Sequence, residues 1–291
     1  MKRILVIGAT GNIGQEVIKH LSLLNEDMEI IAGVRDIEQS KSQFAEYNHV
    51  KFARFDFNDA ETFKAASNDI DVVFLLRPPH IADVNKYFKP LLDAFQANGV
   101  GKIVFLSVQG AEKSRVIPHH KIEKLIRFMQ FDFVFLRPSY FMQNLTTTLL
   151  TDIQKESRIV LPAGKAVFNW VDGSNVGEVA ANVLVDFDLY NNKAFEVTGY
   201  ENKDFYTVIE EMNQALGTDI HYKSVNPLVF YRYKKKQGYR RGMILVMMFL
   251  HLIPRFQKAP AISQFYESVT GKKPTSVQAF IEREKSVFLS H

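Results

Sequence analysis

The sequence predicts an α/β fold built on a doubly wound parallel sheet, and three observations carry that prediction. The first is a short apolar run, Ile4 to Ile7, followed at once by glycines at three-residue spacing, Gly8, Gly11 and Gly14. The second is the unbroken apolar segment Ile70 to Leu76, the pattern of a strand buried on both faces. The third is the alternation of such runs with helical periodicity as far as residue 138, which implies parallel strands joined by right-handed crossover helices.

Taken in order, Ile4 to Ile7 is branched enough to be a central strand, and Ile13, Val17, Ile18, Leu21 and Leu24 fall at helical spacing after the glycines. Glycines between a strand and a helix start form the dinucleotide-binding turn of a Rossmann-type sheet. Gly8 permits the tight turn, Gly11 admits a pyrophosphate close to the backbone, and Gly14 lets helix and strand pack. The anion then sits at the helix N-terminus, among unpaired N–H groups. A second strand, Met28 to Val34, ends on Arg35, 21 residues beyond Gly14. An acidic residue there suits ribose hydroxyls and an arginine suits a 2′-phosphate. NADP(H) is therefore expected, with Lys41 adding charge nearby and Asp36 leaving NAD(H) open.

Val50 to Phe55 is the third strand, and Asp56 and Phe57 at its end suit an adenine. Ile70 to Leu76 stops at Arg77-Pro78-Pro79, which continues neither strand nor helix and belongs at the carboxyl edge of the sheet. A helix then runs to about Asn98, and Lys102 to Leu106 is a strand delivering Ser107 to the same rim. Pro118 opens a helix with His119, His120, Lys121 and Lys124 in its first two turns and Ile122, Leu125, Ile126 and Met129 on its buried face. Phe131 to Leu136, stopped by Arg137-Pro138, completes the regular alternation.

Residues 1–138 are thus expected to form the dinucleotide-binding domain and 139–291 a smaller C-terminal α/β cap, with a strand near 195–198 returning to the parallel sheet. Tyr140 to Ile153 reads as helical, Val167 to Val171 as a strand, Asn175 with Glu178 as a helix start, and Phe205 to Leu216 as an amphipathic helix. Between Arg232 and Ile253, six basic residues precede the apolar run MILVMMFLHLI. That run is shorter than the roughly 20 residues needed to span a bilayer. A buried cap helix is the simpler reading; a peripheral membrane patch or a greasy substrate lip is the alternative.

The absence of cysteine excludes thiol catalysis, disulfides and cysteine-ligated metals, and fits a reducing, cytoplasmic setting. Lys2 and Arg3 lead straight into the first strand, so no secretory leader is expected. The histidines show no metal-ligand spacing, so no metal site is expected. FLSVQG lacks the G-x-S-x-G elbow of a serine hydrolase. A net charge of +4 is small, and no basic helix carries base-reading side chains, so nucleic acid is not an expected partner.

Together, GATGNIG, Arg35, LLRPP, FLSVQGAE and LRPSYFMQNL resemble the atypical short-chain dehydrogenases, and more narrowly their NmrA-like and NAD(P)H:quinone-reductase-like branch. The likeness extends through VTGYENKDFYTVIEEMNQALG and TGKKPTSVQAFIE. It implies that Gly8, Thr10, Gly11, Asn12, Ile13 and Gly14 cradle the pyrophosphate, that Arg35 meets the adenosine phosphate, and that Asp56 and Phe57 lie by the adenine. Leu75, Leu76 and Arg77 would pass the ribose, and Ser107 would lie on the nicotinamide side. Pro138, Ser139, Tyr140 and Phe141 would stand where nicotinamide meets substrate, with Asn144 nearby, and an acceptor is expected near Tyr140, Phe141 and Trp170.

The chain departs from the wider group in having no Tyr-x-x-x-Lys at the fifth helix. His120 and Lys124 repeat its spacing. Counting back from Arg137-Pro138 instead puts Lys121 near the lysine of isoflavone-reductase-like relatives and His119 near a histidine of quinone-reductase-like ones. A histidine there could donate or relay a proton near pH 7. The resemblance then implies hydride transfer from NADPH to a quinone-like or other conjugated apolar acceptor, a reaction that spreads charge over a ring and takes protons from solvent. The alternative it implies is an NADP(H)-binding redox sensor that acts on a protein partner without turnover.

Overall fold

A computed structural model describes residues 1–24 and 26–290. The chain runs β1 (Lys2–Ile7), α1 (Asn12–Leu23), β2 (Met28–Val34), α2 (Ile37–Gln43), β3 (Lys51–Arg54), α3 (Glu61–Ala66), β4 (Val72–Leu76), α4 (Val84–Ala97), β5 (Lys102–Leu106), α5 (Pro118–Phe128) and β6 (Asp132–Pro138). It continues through β7 (Tyr140–Phe141), α6 (Leu150–Glu156), β8 (Arg158–Leu161), β9 (Phe168–Val171), α7 (Gly173–Val185), α8 (Phe187–Tyr190), β10 (Lys193–Val197) and β11 (Asn202–Lys203). The last elements are α9 (Phe205–Leu216), β12 (His221–Ser224), α10 (Pro227–Lys236), α11 (Arg241–Leu252), α12 (Phe265–Thr270), α13 (Val277–Arg283) and α14 (Lys285–Leu289).

Two compact units result. One comprises Met1–Pro138, Gly173–Val197 and Phe265–Lys272; the other comprises Ser139–Asp172, Thr198–Gln264 and Lys273–His291. The first unit thus holds β10, in the stretch expected to return to the parallel sheet, and also takes α7, α8 and α12 from the stretch expected to be cap.

The first unit is a seven-stranded sheet in the order β10-β6-β5-β4-β1-β2-β3, parallel throughout. Ile4 to Ile7 and Val73 to Leu75 are fully buried, as strands covered on both faces must be. One face is filled by Phe88, Leu91, Leu92, Phe95, Ile122 and Ile126 from α4 and α5. On the other, α1 packs on α7, where Gly177 permits the approach: a Cβ there would lie 2.5 Å from that of Glu16. The strand order reverses at β1, between β2 and β4, so the carboxyl ends of β1 and β4 flank the switch point where doubly wound sheets bind ligands.

The second unit holds a three-stranded sheet, β11-β9-β7, and a parallel pair, β12-β8. Its core gathers Phe168, Trp170, Phe205, Phe230 and Phe280. Tyr140 and Phe141 pair with Trp170 and Val171 as strand, a single 3-10 turn spans Met142–Asn144, and the α-helix begins only at Leu150, which corrects the helix expected from Tyr140. The β-branched run Thr146 to Thr148 lies between. The helix expected from Asn175 starts at Gly173 instead. The basic and apolar segment forms two helices broken at Gly238, whose φ of +85° is a left-handed turn. Lys234, one of its six basic residues, is fully buried, with Nζ 2.6 Å from Asp152 Oδ2.

Candidate dinucleotide-binding site

The turn after β1 has the geometry its three glycines imply. Gly8 takes φ +73°, and a Cβ there would also meet the Leu76 side chain at 2.7 Å, so the end of β4 presses on the turn. The Gly11 N–H closes the turn on Gly8 O at 3.0 Å. Gly14 is the tightest point: a Cβ would stand 2.2 Å from Gly8 O and 2.8 Å from Ala9 Cα. Gln15 and Gln43 side chains hold Thr10 O at 2.9 and 3.3 Å. Gly11 caps α1 without a side-chain acceptor, and the first turn contains no acid. The leading N–H groups of Asn12, Ile13 and Gly14 precede any intrahelical acceptor, and Thr10, Gly11 and Asn12 are exposed. The cradle fits a pyrophosphate, because the atoms that would fill or repel it are those the sequence omits.

Around this turn, Arg35 is exposed at the end of β2 and forms no ion pair among the described residues. Asp36 is committed elsewhere: its carboxylate accepts the Gln39 N–H at 3.0 Å and caps α2. Lys41 pairs with Glu38 at 2.7 Å. Asp56 Oδ1 accepts from Asn58 N at 2.9 Å, and Phe57 packs edge-on to Phe55 at 5.1 Å, so both build the turn after β3. Leu75 is buried beside Leu76 in β4.

Arg77 and His119 act on each other. Arg77 Nη1 donates to the carbonyls of Pro78, Pro79 and Ile81 at 3.0, 3.0 and 2.6 Å, clamping the loop after β4. Its Nε donates to His119 Nε2 at 3.4 Å, so the His119 proton resides on Nδ1. Burial and then the Arg77 charge push His119 down to about 3. Near pH 7 it is a neutral imidazole whose Nε2 is held as an acceptor. His120 Nδ1 donates to Ala111 O at 3.0 Å, leaving Nε2 as its other ring nitrogen. Lys121 and Lys124 lie elsewhere on α5, with Ala82 to Asn85, Leu125 and Phe128, around a cavity of about 440 Å³. The four α5 residues are thus divided among three surroundings.

Sequence reasoning missed a buried network behind the rim. Ser107 Oγ donates to Glu123 Oε1 at 2.6 Å, and Arg137 grips the same carboxylate through Nε at 3.0 Å and Nη2 at 2.7 Å. Arg137 Nη1 also meets Glu112 at 2.8 Å. Ser107, Glu123 and Arg137 are all buried. The signal was present: Glu123 falls on the apolar stripe of α5 between Ile122 and Ile126, where a charge needs a partner. Pro138 O, at the end of β6, accepts the Gln109 N–H at 2.9 Å.

A model of the NmrA-like family matches residues 1–281. The chain belongs to that family. It is 28% identical to the Prestalk A differentiation protein A of Dictyostelium discoideum over 277 residues, 95% of this chain and 90% of that one. It is 26% identical to an NAD(P)H azoreductase of Xenophilus azovorans over 227 residues, 76% of this chain and 77% of that one. An NADPH-dependent quinone oxidoreductase of Escherichia coli, solved with NADPH, superposes with a TM-score of 0.85 at 18% identity, covering 96% and 99% of the two chains. A triphenylmethane reductase of Citrobacter sp. gives 0.84 at 21% identity, covering 98% and 99%. These two likenesses establish the fold.

In this NmrA-like chain the residues after Pro138 belong to the second unit and are largely spoken for. Ser139 Oγ donates to Asn169 Oδ1 at 2.6 Å. Tyr140 OH lies 2.9 Å from His251 Nε2, and His251 Nδ1 donates to Met247 O at 2.6 Å, so the hydroxyl is the donor to the imidazole. Burial raises the Tyr140 phenol and pushes His251 down to about 4, so both stay neutral. Phe141 and Asn144 are half-buried beside them. Trp170, expected beside an acceptor, is fully buried; its Nε1 donates to Lys203 O at 3.0 Å and its ring packs on Tyr140 at 4.9 Å. An indole so enclosed is core.

The two most strongly depressed histidines, His119 and His251, make stability depend on pH. Unfolded, His119 and His251 titrate at the ordinary 6.5; folded, they do so at about 3 and about 4. Below 6.5 the unfolded chain binds protons that the folded chain refuses, so their contribution is complete above that value and falls as pH drops toward 4 and then 3. Thermal unfolding midpoints are expected to fall between about pH 7.5 and 5, and less steeply in His119→Gln. An unchanged slope in that variant would contradict the buried, neutral assignment.

Proposed function

We propose that this NmrA-like chain is an NADPH-dependent reductase that passes hydride to a quinone-like or other conjugated apolar acceptor. The observation that carries the reading is the open glycine turn at the switch point, with its acid-free helix start and Arg35 free at the end of β2. The relatives that are named azoreductase, quinone oxidoreductase and triphenylmethane reductase support the same reaction class.

When bound, NADPH supplies the hydride. The chain supplies the rest. The N–H groups at the start of α1 hold the pyrophosphate, and the Arg35 guanidinium pairs with the 2′-phosphate. Arg77 fixes the loop after β4, burial and then the Arg77 charge keep His119 neutral, and the Ser107–Glu123–Arg137 network stiffens the rim between β5 and β6. Neither His119 nor Tyr140 offers a titrating acid near pH 7. That suits an acceptor whose reduced form is stabilised by conjugation and takes its proton from water, with catalysis resting on proximity and orientation. His120, whose Nε2 is not used by Ala111, is the candidate relay on α5.

The test is NADPH consumption by the purified protein with quinones, azo dyes and triphenylmethane dyes. Tight NADPH binding without turnover on any of them would overturn the reductase reading in favour of a redox sensor, which the engagement of the Tyr140 hydroxyl by His251 also suits. Arg35→Ser removes one charge-assisted contact, so NADPH affinity is expected to fall roughly 10- to 100-fold while NADH affinity changes little. Thermal-shift titrations with both coenzymes measure this.

A further inference from the structure

The helix α11 is apolar all the way round, yet it is only half covered. Ile244, Met247 and His251 face the core. Met243, Val246, Leu250 and Ile253, at i, i+3, i+7 and i+10, form a stripe 40 to 58% exposed, with Phe249 beside it at 51%. Phe256, in the turn that follows, is 81% exposed. A helix of this composition belongs wholly in a core, so the open half lacks a partner of apolar character.

The charges around it are of one sign. Lys235 and Lys236 end α10, Arg240 and Arg241 lead into α11, and Arg255 and Lys258 follow it, all exposed and none in an ion pair among the described residues. From Ile220 to Tyr266 the sequence contains no aspartate or glutamate. Cations therefore bracket both ends of the stripe, the arrangement of an interfacial helix whose apolar face enters the acyl boundary while its flanks meet phosphates.

We propose that this face docks the protein on an anionic lipid surface, with α11 lying in the plane of the membrane. At about 1.5 Å per residue, a 12-residue helix reaches roughly 18 Å, well short of the hydrocarbon thickness. No helix among the described residues is long and apolar enough to cross a membrane. A second copy of the chain suits the face poorly, since a twofold contact across the stripe would oppose the same cations. The proposal does not depend on the reductase reading, and its test needs no turnover.

That test is co-sedimentation of the full chain with phosphatidylcholine vesicles, with and without about 30% phosphatidylserine, at low and high salt. Binding is expected only to the anionic vesicles and is expected to weaken with salt. Replacing two cations, Arg240→Gln with Arg241→Gln, should lower partitioning roughly 30-fold, at about fivefold per charge. Val246→Ser with Phe249→Ser should abolish it, and because all four side chains are exposed the unfolding midpoint should hold in both variants. Equal binding to neutral vesicles, or no binding to anionic ones, would overturn the proposal. So would a dimer on gel filtration that Val246→Ser with Phe249→Ser dissociates while vesicles capture nothing.

Discussion

Lys234→Met is expected to cost about 3–5 kcal/mol of folding stability, because it strips the cation from a carboxylate that cannot reach water. Lys234 and Asp152 are 0% and 2% exposed at the side chain, 2.6 Å apart, and Gln237 Nε2 also donates to Asp152 at 2.6 Å. The ammonium lies 5.3 and 5.2 Å from the centres of the Tyr233 and Tyr239 rings, which replace part of its lost hydration. Asp152→Ala should cost a similar amount. Replacing both partners together, Asp152→Leu with Lys234→Met, should recover most of the loss, since neither charge is then stranded. Urea unfolding of the three variants measures the coupling. Single variants each costing less than about 1 kcal/mol would mean that water reaches the pair.

Gly14→Ala should damage folding and coenzyme binding together. Its methyl would stand 2.2 Å from Gly8 O, a backbone atom that cannot swing aside, so α1 must move off the turn. Overpacking of this kind costs about 1–3 kcal/mol, and moving the first turn should weaken NADPH binding on the order of tenfold, the worth of one charge-assisted contact. Two other glycines separate the effects. Gly11 has φ −83° and only Gly8 O at 3.3 Å near its missing Cβ, so Gly11→Ala should fold nearly normally while obstructing the pyrophosphate approach. Gly101 has nothing within 4 Å, so Gly101→Ala should change neither property. NADPH binding by Gly11→Ala at the unaltered affinity would sink the cradle assignment.

The parallel sheet was legible because its signals are local: an apolar run covered on both faces has no polar alternation to confuse it, and the glycine turn is contiguous. What escaped depends on partners distant in sequence. Glu123 and Arg137 are surface residue types whose burial becomes intelligible only when Ser107 and each other are in reach. The resemblance sets Tyr140 beside a ligand, and nothing local in the sequence reveals that His251, far along the chain, takes its hydroxyl. The enclosure of Trp170 is likewise set at a distance, its indole N–H being satisfied by the Lys203 carbonyl. The α5 histidines and lysines had the right helix but an unsettled facing, which the Arg77 clamp decides for His119.

The pairing of β10 with β6 has a consequence for synthesis. A chain emerging from the ribosome completes β6 at Pro138 but does not present its neighbour until Lys193 to Val197. For that interval β6 offers a bare row of backbone donors and acceptors, and the face of α1 that α7 will cover is wet. The dinucleotide-binding unit therefore cannot mature vectorially ahead of the segment threaded between its parts. Its last strand closes only after distant contacts repay the loop entropy, which makes this sheet a slow and aggregation-exposed part of the fold to finish.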